Sequence, residues 1–526
     1  MDTTGARDGR PPRPTTIPEV LARRAEERPE RPAVVDDGGT LTYGALLEAA
    51  HDGARRLLGA GLAPGDRVAL QMANGRDWLV AYWSGALAAL VVVPIDIRSR
   101  PSEVEAMVER CGARLLVAGP DAGLADQLGA ARVARGLEAV GPADGWPSGR
   151  PLPGLDGRAT PGDVHLLQLT SGSTGLPKAA MLTHRGLLAN AAALGEAWGL
   201  ATGESIVVPG PFSHILGFLT GCLVPAVVGA TVLTMSAFTP ERALELIERH
   251  RAVAVAGTPT HHLMLVEHPA RAQRDCSSLR FLMYGGAPMT REVARRITEG
   301  LGVAWLLGGF GMSETSGGVT SVVPGDPLDV QLDSVGRPLP TFEVRVVDPS
   351  TGTPCPPGAR GELWVRGEPV CLGYWGDPDE SGRAVTPDGW LRTGDLVIER
   401  ADGALSFAGR LKEIILVGGY TVTPGEIERV LSAHAAVAEA VVVGAPEPRL
   451  GEIPVAFVRL AAGASVSAAA LEAHCRAALA SYKAPRHYVF VDTFPLSPTG
   501  KVQRRSLGDE AALVVSTALS ARTGAG

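Results

Sequence analysis

The sequence predicts an α/β protein: a large N-terminal domain of layered α/β subdomains with a small β-barrel, then a small α+β C-terminal domain. Three observations predict it. At 526 residues the chain exceeds the ~50–250 residues of a usual domain, so at least two compact units are expected. Between Leu41 and Pro94, helical and strand-like apolar patterns alternate. After Gly409 a second, shorter alternation of the two begins.

The elements follow in order. Residues 1–16 are polar and proline-bearing, without the apolar core of a secretory signal, and read as a flexible tail. The segment 41–94 reads as helix, strand (67–72), helix and strand (90–94), with Gly59 and Gly61 ending the first helix. Three later loops each follow an apolar strand: 164–169 before Thr170, 280–284 before Gly285, and 303–307 before Gly308. The first of these loops is expected to lead into a helix. Ligands of open α/β sheets bind at the carboxyl ends of strands, so these loops are predicted to share one crevice. From Gly336 to Ala408, shorter alternating segments broken by Gly and Pro predict antiparallel strands or a small barrel. Beyond Gly409 come a helix near 426–431, strands at 437–443 and 455–459, a helix at 468–480 and a strand at 488–491. The end from Gly508 reads as a second tail.

Composition narrows the function classes. A net charge of −7 without a Lys/Arg cluster excludes a chain built to bind nucleic acid. The longest apolar runs, 86–95 and 222–235, are shorter than the ~18 residues of a membrane span, so no span and a soluble protein are expected. The six cysteines show no CxxC spacing, which fits neither a zinc site nor a disulfide framework; buried thiols in a reducing cytoplasm are expected. Only Lys178, Lys412, Lys483 and Lys501 of the 49 basic residues are lysines. A compositional preference for arginine accounts for the scarcity. A lysine kept against it marks a place where a compact ammonium serves and a planar guanidinium does not.

The segment Thr170-Ser171-Gly172-Ser173-Thr174-Gly175-Leu176-Pro177-Lys178 combines hydroxyls, glycine-freed backbone N–H groups and one ammonium, the parts that hold a polyphosphate. Its spacing is not that of a Walker A loop, and Ala179 stands where a magnesium-binding hydroxyl would follow the lysine. It resembles the phosphate-binding loop of the adenylate-forming superfamily, which includes acyl-CoA synthetases, adenylation domains and luciferases. Further motifs similar to that family's run in the same order from Leu41 to Leu507.

The resemblance implies roles residue by residue. Gly285, Gly286 and Ala287 resemble the adenine-side loop, where absent side chains admit a flat ring. In Gly309-Phe310-Gly311-Met312-Ser313-Glu314 it implies that Phe310 stacks on adenine, Ser313 contacts phosphate and Glu314 helps hold Mg2+. The family more often carries Tyr and Thr where this chain has Phe310 and Ser313; Phe keeps the stacking face. Asp395, in Arg392-Thr393-Gly394-Asp395, and Arg410 match the ribose contacts, and Lys412 matches the pivot of the hinge. Lys501 matches the lysine of a mobile C-terminal lid, whose ammonium stabilises charge as a carboxylate attacks the α-phosphorus of ATP. Lys483 has no catalytic role assigned.

His214 stands where amino-acid-activating relatives usually carry Asp, which counts against a free amino acid substrate. Gly308 and Gly309 leave room in an acyl pocket, and His261 and His262 either line it or cover a helix. The segment around Leu416 lacks the Lys of coumarate-type ligases and is closer to fatty acyl-CoA synthetases, with Gly418 and Gly419 leaving space for a pantetheine arm. The implied organisation is an AMP-binding domain at 17–409, a hinge at 410–414, a lid at 415–507 and a tail at 508–526. The implied reaction converts a carboxylic acid to acyl-AMP and then to a thioester, with ATP, Mg2+ and coenzyme A. An acyl carrier protein is the alternative acceptor.

Overall fold

Thr42 ends a short strand and caps the helix Tyr43–Gly59, its hydroxyl accepting from the Ala45 amide at 3.2 Å. The computed structural model describes residues 15–119, 139–140, 159–170, 177–286, 289, 291–417, 420–448, 450–496 and 502–523. The chain divides into two compact units, Met1–Glu343 with Val365–Leu391, and Val344–Trp364 with Arg392–Gly526.

The larger unit contains two mostly parallel sheets. Its strands are β1 (Pro32–Asp36), β2 (Gly39–Thr42), β3 (Arg67–Gln71), β4 (Val91–Pro94), β5 (Leu115–Ala118), β6 (Ala139–Val140), β7 (Val164–Thr170), β8 (Lys178–Thr183), β9 (Ser205–Val207), β10 (Thr231–Leu233), β11 (Ala254–Gly257), β12 (Phe281–Tyr284) and β13 (Trp305–Gly308). One sheet runs β13-β12-β11-β9-β10-β1-β2 and the other β6-β5-β3-β4-β7-β8. Only β2 and β8, at the edges, pair antiparallel. The strands are nearly continuous apolar runs because helices cover them, as parallel sheets require. Ala243, Leu244, Ile247, Ala294 and Ile297 pack on the first sheet, and Val104, Val108 and Cys111 on the second.

The helix Arg76–Leu87 is buried from Trp78 to its end. Trp78 meets Phe212 and Phe218 edge-on with centroids 5.4 and 6.3 Å apart, and Tyr82 meets Phe218 at 5.1 Å. This aromatic contact fixes the loop after β9, which carries His214.

In the smaller unit, Gly451–Leu460 pairs with Val437–Glu447 along one edge and with Ile415–Val417 and His487–Phe490 along the other. Alternate residues face opposite cores: Ala440, Val442, Ala456 and Val458 in one, Val441, Val443, Val455 and Phe457 in the other. The helices Pro424–Ser432 and Ala468–Ala478 contribute Ile427, Leu431, Leu471 and Cys475 to the first core.

Two sequence expectations are corrected. The phosphate loop leads into strand β8, not directly into a helix; the helix His184–Trp198 follows, capped by Thr183. A short apolar run such as Ala179-Ala180-Met181-Leu182 suits either state, and pairing with β7 decides it. The stretch from Gly508, read as a tail, continues the helix Arg504–Thr523. Leu507, Ala511 and Val515, spaced four apart, bury against the second core of the smaller unit.

Candidate active site

Several polar residues of the larger unit lie at or just beyond the carboxyl ends of its parallel strands. β4 is followed by Asp96, whose Oδ2 lies 3.0 Å from His214 Nε2. Asp96 also accepts from Arg98 through its backbone N, Nε and Nη2 at 2.9, 2.9 and 2.7 Å. Burial raises the Asp96 carboxyl, but the hydrogen bonds from Arg98 and His214 outweigh it and hold the group well below the usual carboxylate range. Gln168, near the end of β7, donates to the Ser213 carbonyl at 2.9 Å. Asn74 donates to the Gly210 carbonyl and accepts from the Phe212 amide, both at 2.8 Å. Residues after β3 and β4 and near the end of β7 in one sheet thereby hold the loop after β9 of the other.

The β7–β8 turn contains the phosphate-loop candidates. Thr170 and Lys178 face each other as the last register pair of the hairpin; Ser171, Gly172, Ser173, Thr174 and Gly175 lie outside the described residues. The Lys178 ammonium pairs with Glu380 and lies 5.0 Å from the centroid of the Tyr374 ring. The same Tyr374 donates its hydroxyl to Glu314 Oε1 at 2.8 Å. Burial, then the adjacent Glu314 carboxylate, raises the Tyr374 phenol, so it keeps its proton and acts as the donor.

Glu314 sits in the 3-10 turn Ser313–Thr315, which Thr315 ties by donating to the Met312 and Gly317 carbonyls at 3.0 and 2.7 Å. Its carboxylate is buried, and among the described residues its Oε2 takes no hydrogen bond. Among those residues no group of three or more His, Cys, Asp or Glu could hold a metal. A single buried carboxylate nevertheless fits magnesium, which keeps several waters and takes further oxygens from phosphates. Phe310 is buried, its amide donating to Thr320 Oγ1 at 3.0 Å. Gly311 pairs with Gly318, and a Cβ on it would strike the Gly317 carbonyl at 2.2 Å.

Packing accounts for the next pair of glycines. A Cβ at Gly308 would lie 2.5 Å from the Tyr284 hydroxyl, and one at Gly309 2.7 Å from the Thr320 carbonyl. Gly285 follows β12 with Leu216 beside it, and Gly286 takes φ +79°; Ala287 lies outside the described residues. His262 is fully buried with Nε2 3.0 Å from the Met283 carbonyl, and His261 Nδ1 accepts from the Thr258 amide at 3.1 Å at the start of its own helix. Both histidines have local structural partners.

In the smaller unit the hairpin Leu391–Glu399/Leu405–Arg410 puts Asp395 opposite Arg410 in register. Arg410 Nε lies 2.9 Å from Asp395 Oδ1, and the carboxylate side chain is 3% exposed against 55% for the guanidinium. Gly394, at φ +70°, turns its amide to Glu362 Oε1 at 2.9 Å, and Thr393 donates to the Leu363 carbonyl at 2.6 Å. Lys412 lies in the turn Leu411–Glu413; Gly418, Gly419 and Lys501 fall outside the described residues. Lys483 Nζ is held by Glu426 at 2.7 and 2.8 Å. Five of the six cysteines are buried, and no helix among the described residues is long and apolar enough to cross a membrane.

Sequence reasoning missed Tyr374, Glu380 and Asp96. Each is defined by a partner from a distant segment, and only Asp96, just beyond an apolar strand, had a positional signal.

Residues 21–375 match the family model described as AMP-binding enzyme, and residues 426–501 the one described as AMP-binding enzyme C-terminal domain. A feruloyl-CoA synthase of an Amycolatopsis species is 36% identical over 482 residues, covering 91% of this chain and 96% of that protein. A mitochondrial medium-chain acyl-CoA ligase of Macaca fascicularis is 31% identical over 542 residues, covering 94% and 87%. The crystal structure of an anthranilate CoA ligase in complex with anthranoyl-AMP has a TM-score of 0.85 at 26% identity, covering 95% of this chain and 98% of that one. The chain belongs to the AMP-binding enzyme family, within the adenylate-forming superfamily and close to its acyl-CoA ligases.

Proposed function

We propose that this chain is an AMP-forming acid–thiol ligase that joins a fatty or other non-amino carboxylic acid to coenzyme A through an acyl-AMP. The observation that supports it best is the meeting of Lys178 and Glu314 on one tyrosine beside the β7–β8 turn. An ammonium and a buried carboxylate held this close together suit the two halves of a magnesium nucleotide. When bound, magnesium supplies charge neutralisation between phosphate oxygens. Glu314 would hold it, Lys178 and the turn would contact phosphate, and Ser313 would add a hydroxyl. Gly285, Gly286, Ala287, Phe310 and Gly311 take the adenine, Asp395 and Arg410 the ribose. Lys501 brings its ammonium to the reacting phosphorus, with Lys412 as the pivot between steps.

The environment of His214 supports the non-amino substrate. Asp96 does bring a carboxylate to it, but that carboxylate already accepts from Arg98 and is committed to the imidazole. A substrate ammonium would have to displace both.

A pyrophosphate-exchange screen over carboxylic acids, followed by addition of coenzyme A, tests this reading. Acid-dependent exchange and a coenzyme A thioester of the same acid are expected. Exchange without any thioester would transfer the acceptor role to a carrier protein. ATP binding without acid-dependent exchange would make the chain a nucleotide sensor and end the ligase reading.

A further inference from the structure

Tyr374 belongs to none of the sites assigned above, yet it touches two of their residues. Its position is fixed by a short strap, residues 371–375, laid along β8. Leu372 N donates to the Met181 carbonyl at 3.0 Å, Met181 N to the Gly373 carbonyl at 2.9 Å, and Trp375 N to the Ala179 carbonyl at 2.8 Å. The Tyr374 amide donates to Ser381 Oγ at 2.8 Å. At its other end the strap holds the metal-ligand turn itself, Cys371 N donating to the Glu314 carbonyl at 2.7 Å. One five-residue segment therefore laces the strand that begins with Lys178 to the turn that carries Glu314, and it aims one ring between them.

We infer that Tyr374 is a shared positioning residue for the magnesium nucleotide: its hydroxyl orients the Glu314 carboxylate while its ring face seats the Lys178 ammonium. The two functions sit on separate parts of the side chain, edge and face. An uncushioned Lys178 and Glu314 could pair with each other and neutralise both; the aromatic spacer gives each a different partner. Glu380 completes the arrangement as the anion that balances Lys178 until phosphate arrives. Partners behind a ligating carboxylate typically change metal affinity by about 10- to 100-fold when removed.

The inference rests on the nucleotide site proposed above, and the test separates the two. ATP binding to the full chain is measured by calorimetry across a magnesium series, with no carboxylic acid present so that nothing turns over. Wild type is expected to bind ATP in a magnesium-dependent way; if it does not, the nucleotide site and the inference both fall. Tyr374→Phe should raise the magnesium midpoint about 10-fold, and at saturating magnesium should change ATP affinity less than about 2-fold, because Phe keeps the ring beneath Lys178. Tyr374→Leu should weaken ATP binding at saturating magnesium as well. Glu314→Gln combined with Tyr374→Phe should be no worse than Glu314→Gln alone, since the hydroxyl acts through that carboxylate. A wild-type magnesium midpoint in Tyr374→Phe, or additive effects in the double variant, would overturn the role. A lowered melting temperature with an unmoved midpoint would reduce Tyr374 to packing.

Discussion

The two units hold their charged groups by opposite means. In the larger unit Glu314 is fixed by a hydroxyl 60 positions away and Lys178 by a carboxylate 202 positions away. In the smaller unit Asp395 and Arg410 are set against each other by the register of a single hairpin. The first arrangement depends on distant segments being packed together, because the strap at 371–375 takes its place from hydrogen bonds to β8 and to the Glu314 carbonyl. The second is local, and the backbone ladder alone delivers it. A site built in the first way should fail with the fold around it, one built in the second should survive most distant damage.

The largest expected effect falls on the small unit. Lys501→Ala should lower acid-dependent pyrophosphate exchange by about 10³-fold, the scale of losing one group aimed at developing transition-state charge. Thioester formation from supplied acyl-AMP should stay near wild type. Equal loss in both half-reactions would show that the lid serves more than the first step and would blur the division between the units.

Acid should separate the units by stability. Burial pushes His184, His261 and His262 from the ordinary 6.5 down to about 4, and drives His165 well below its usual value, its ring 4.4 Å from that of His184. All four lie in the larger unit. They are neutral in the fold but take up protons when unfolded. Their stabilisation is therefore complete above pH 6.5 and is lost as pH falls toward 4, by roughly 3 kcal/mol for each shift of that size. Tryptophan fluorescence follows the larger unit, which holds seven of the eight tryptophans. Denaturant midpoints read that way should drop steeply between pH 6.5 and 4. Midpoints that stay flat over that window would mean these histidines are accessible to protons in the fold.

The same contrast explains how much was legible in the sequence. The parallel strands were, because a strand covered on both faces must be a continuous apolar run, as Phe281–Tyr284 is. So was the pairing of Asp395 with Arg410, since a hairpin keeps its partners close in the chain. Strand β8 was misread because four small or apolar residues carry no period until a neighbour imposes one. The terminal helix had a readable stripe in Leu507, Ala511 and Val515, obscured by Gly508 and the alanines around it. Tyr374 left no trace in the sequence, and Asp96 only its place just beyond an apolar strand. Their meaning lies in contacts with Glu314 and His214, which one sequence without its fold does not display.

The smallest effect is expected at the most local feature. Asp395→Asn keeps the shape of the side chain, which is 3% exposed, and removes the charge that faces Arg410. On the proposed ribose role, removing this carboxylate should cost about 1.5–3 kcal/mol of nucleotide binding, the worth of hydrogen bonds to a charged group. The ATP Michaelis constant should therefore rise about 10- to 100-fold less any share that Asn still contributes as an acceptor, leaving an increase near 10-fold. Arg410 is more than half exposed and can return to solvent, so the melting temperature should barely move. Arg410→Ala runs the other way, for it removes the guanidinium that offsets a buried carboxylate and should cost more stability than Asp395→Asn. An unchanged ATP Michaelis constant in Asp395→Asn would remove the ribose role. The reverse order of melting temperatures would show that the hairpin register, rather than the ion pair, carries the stability of this edge.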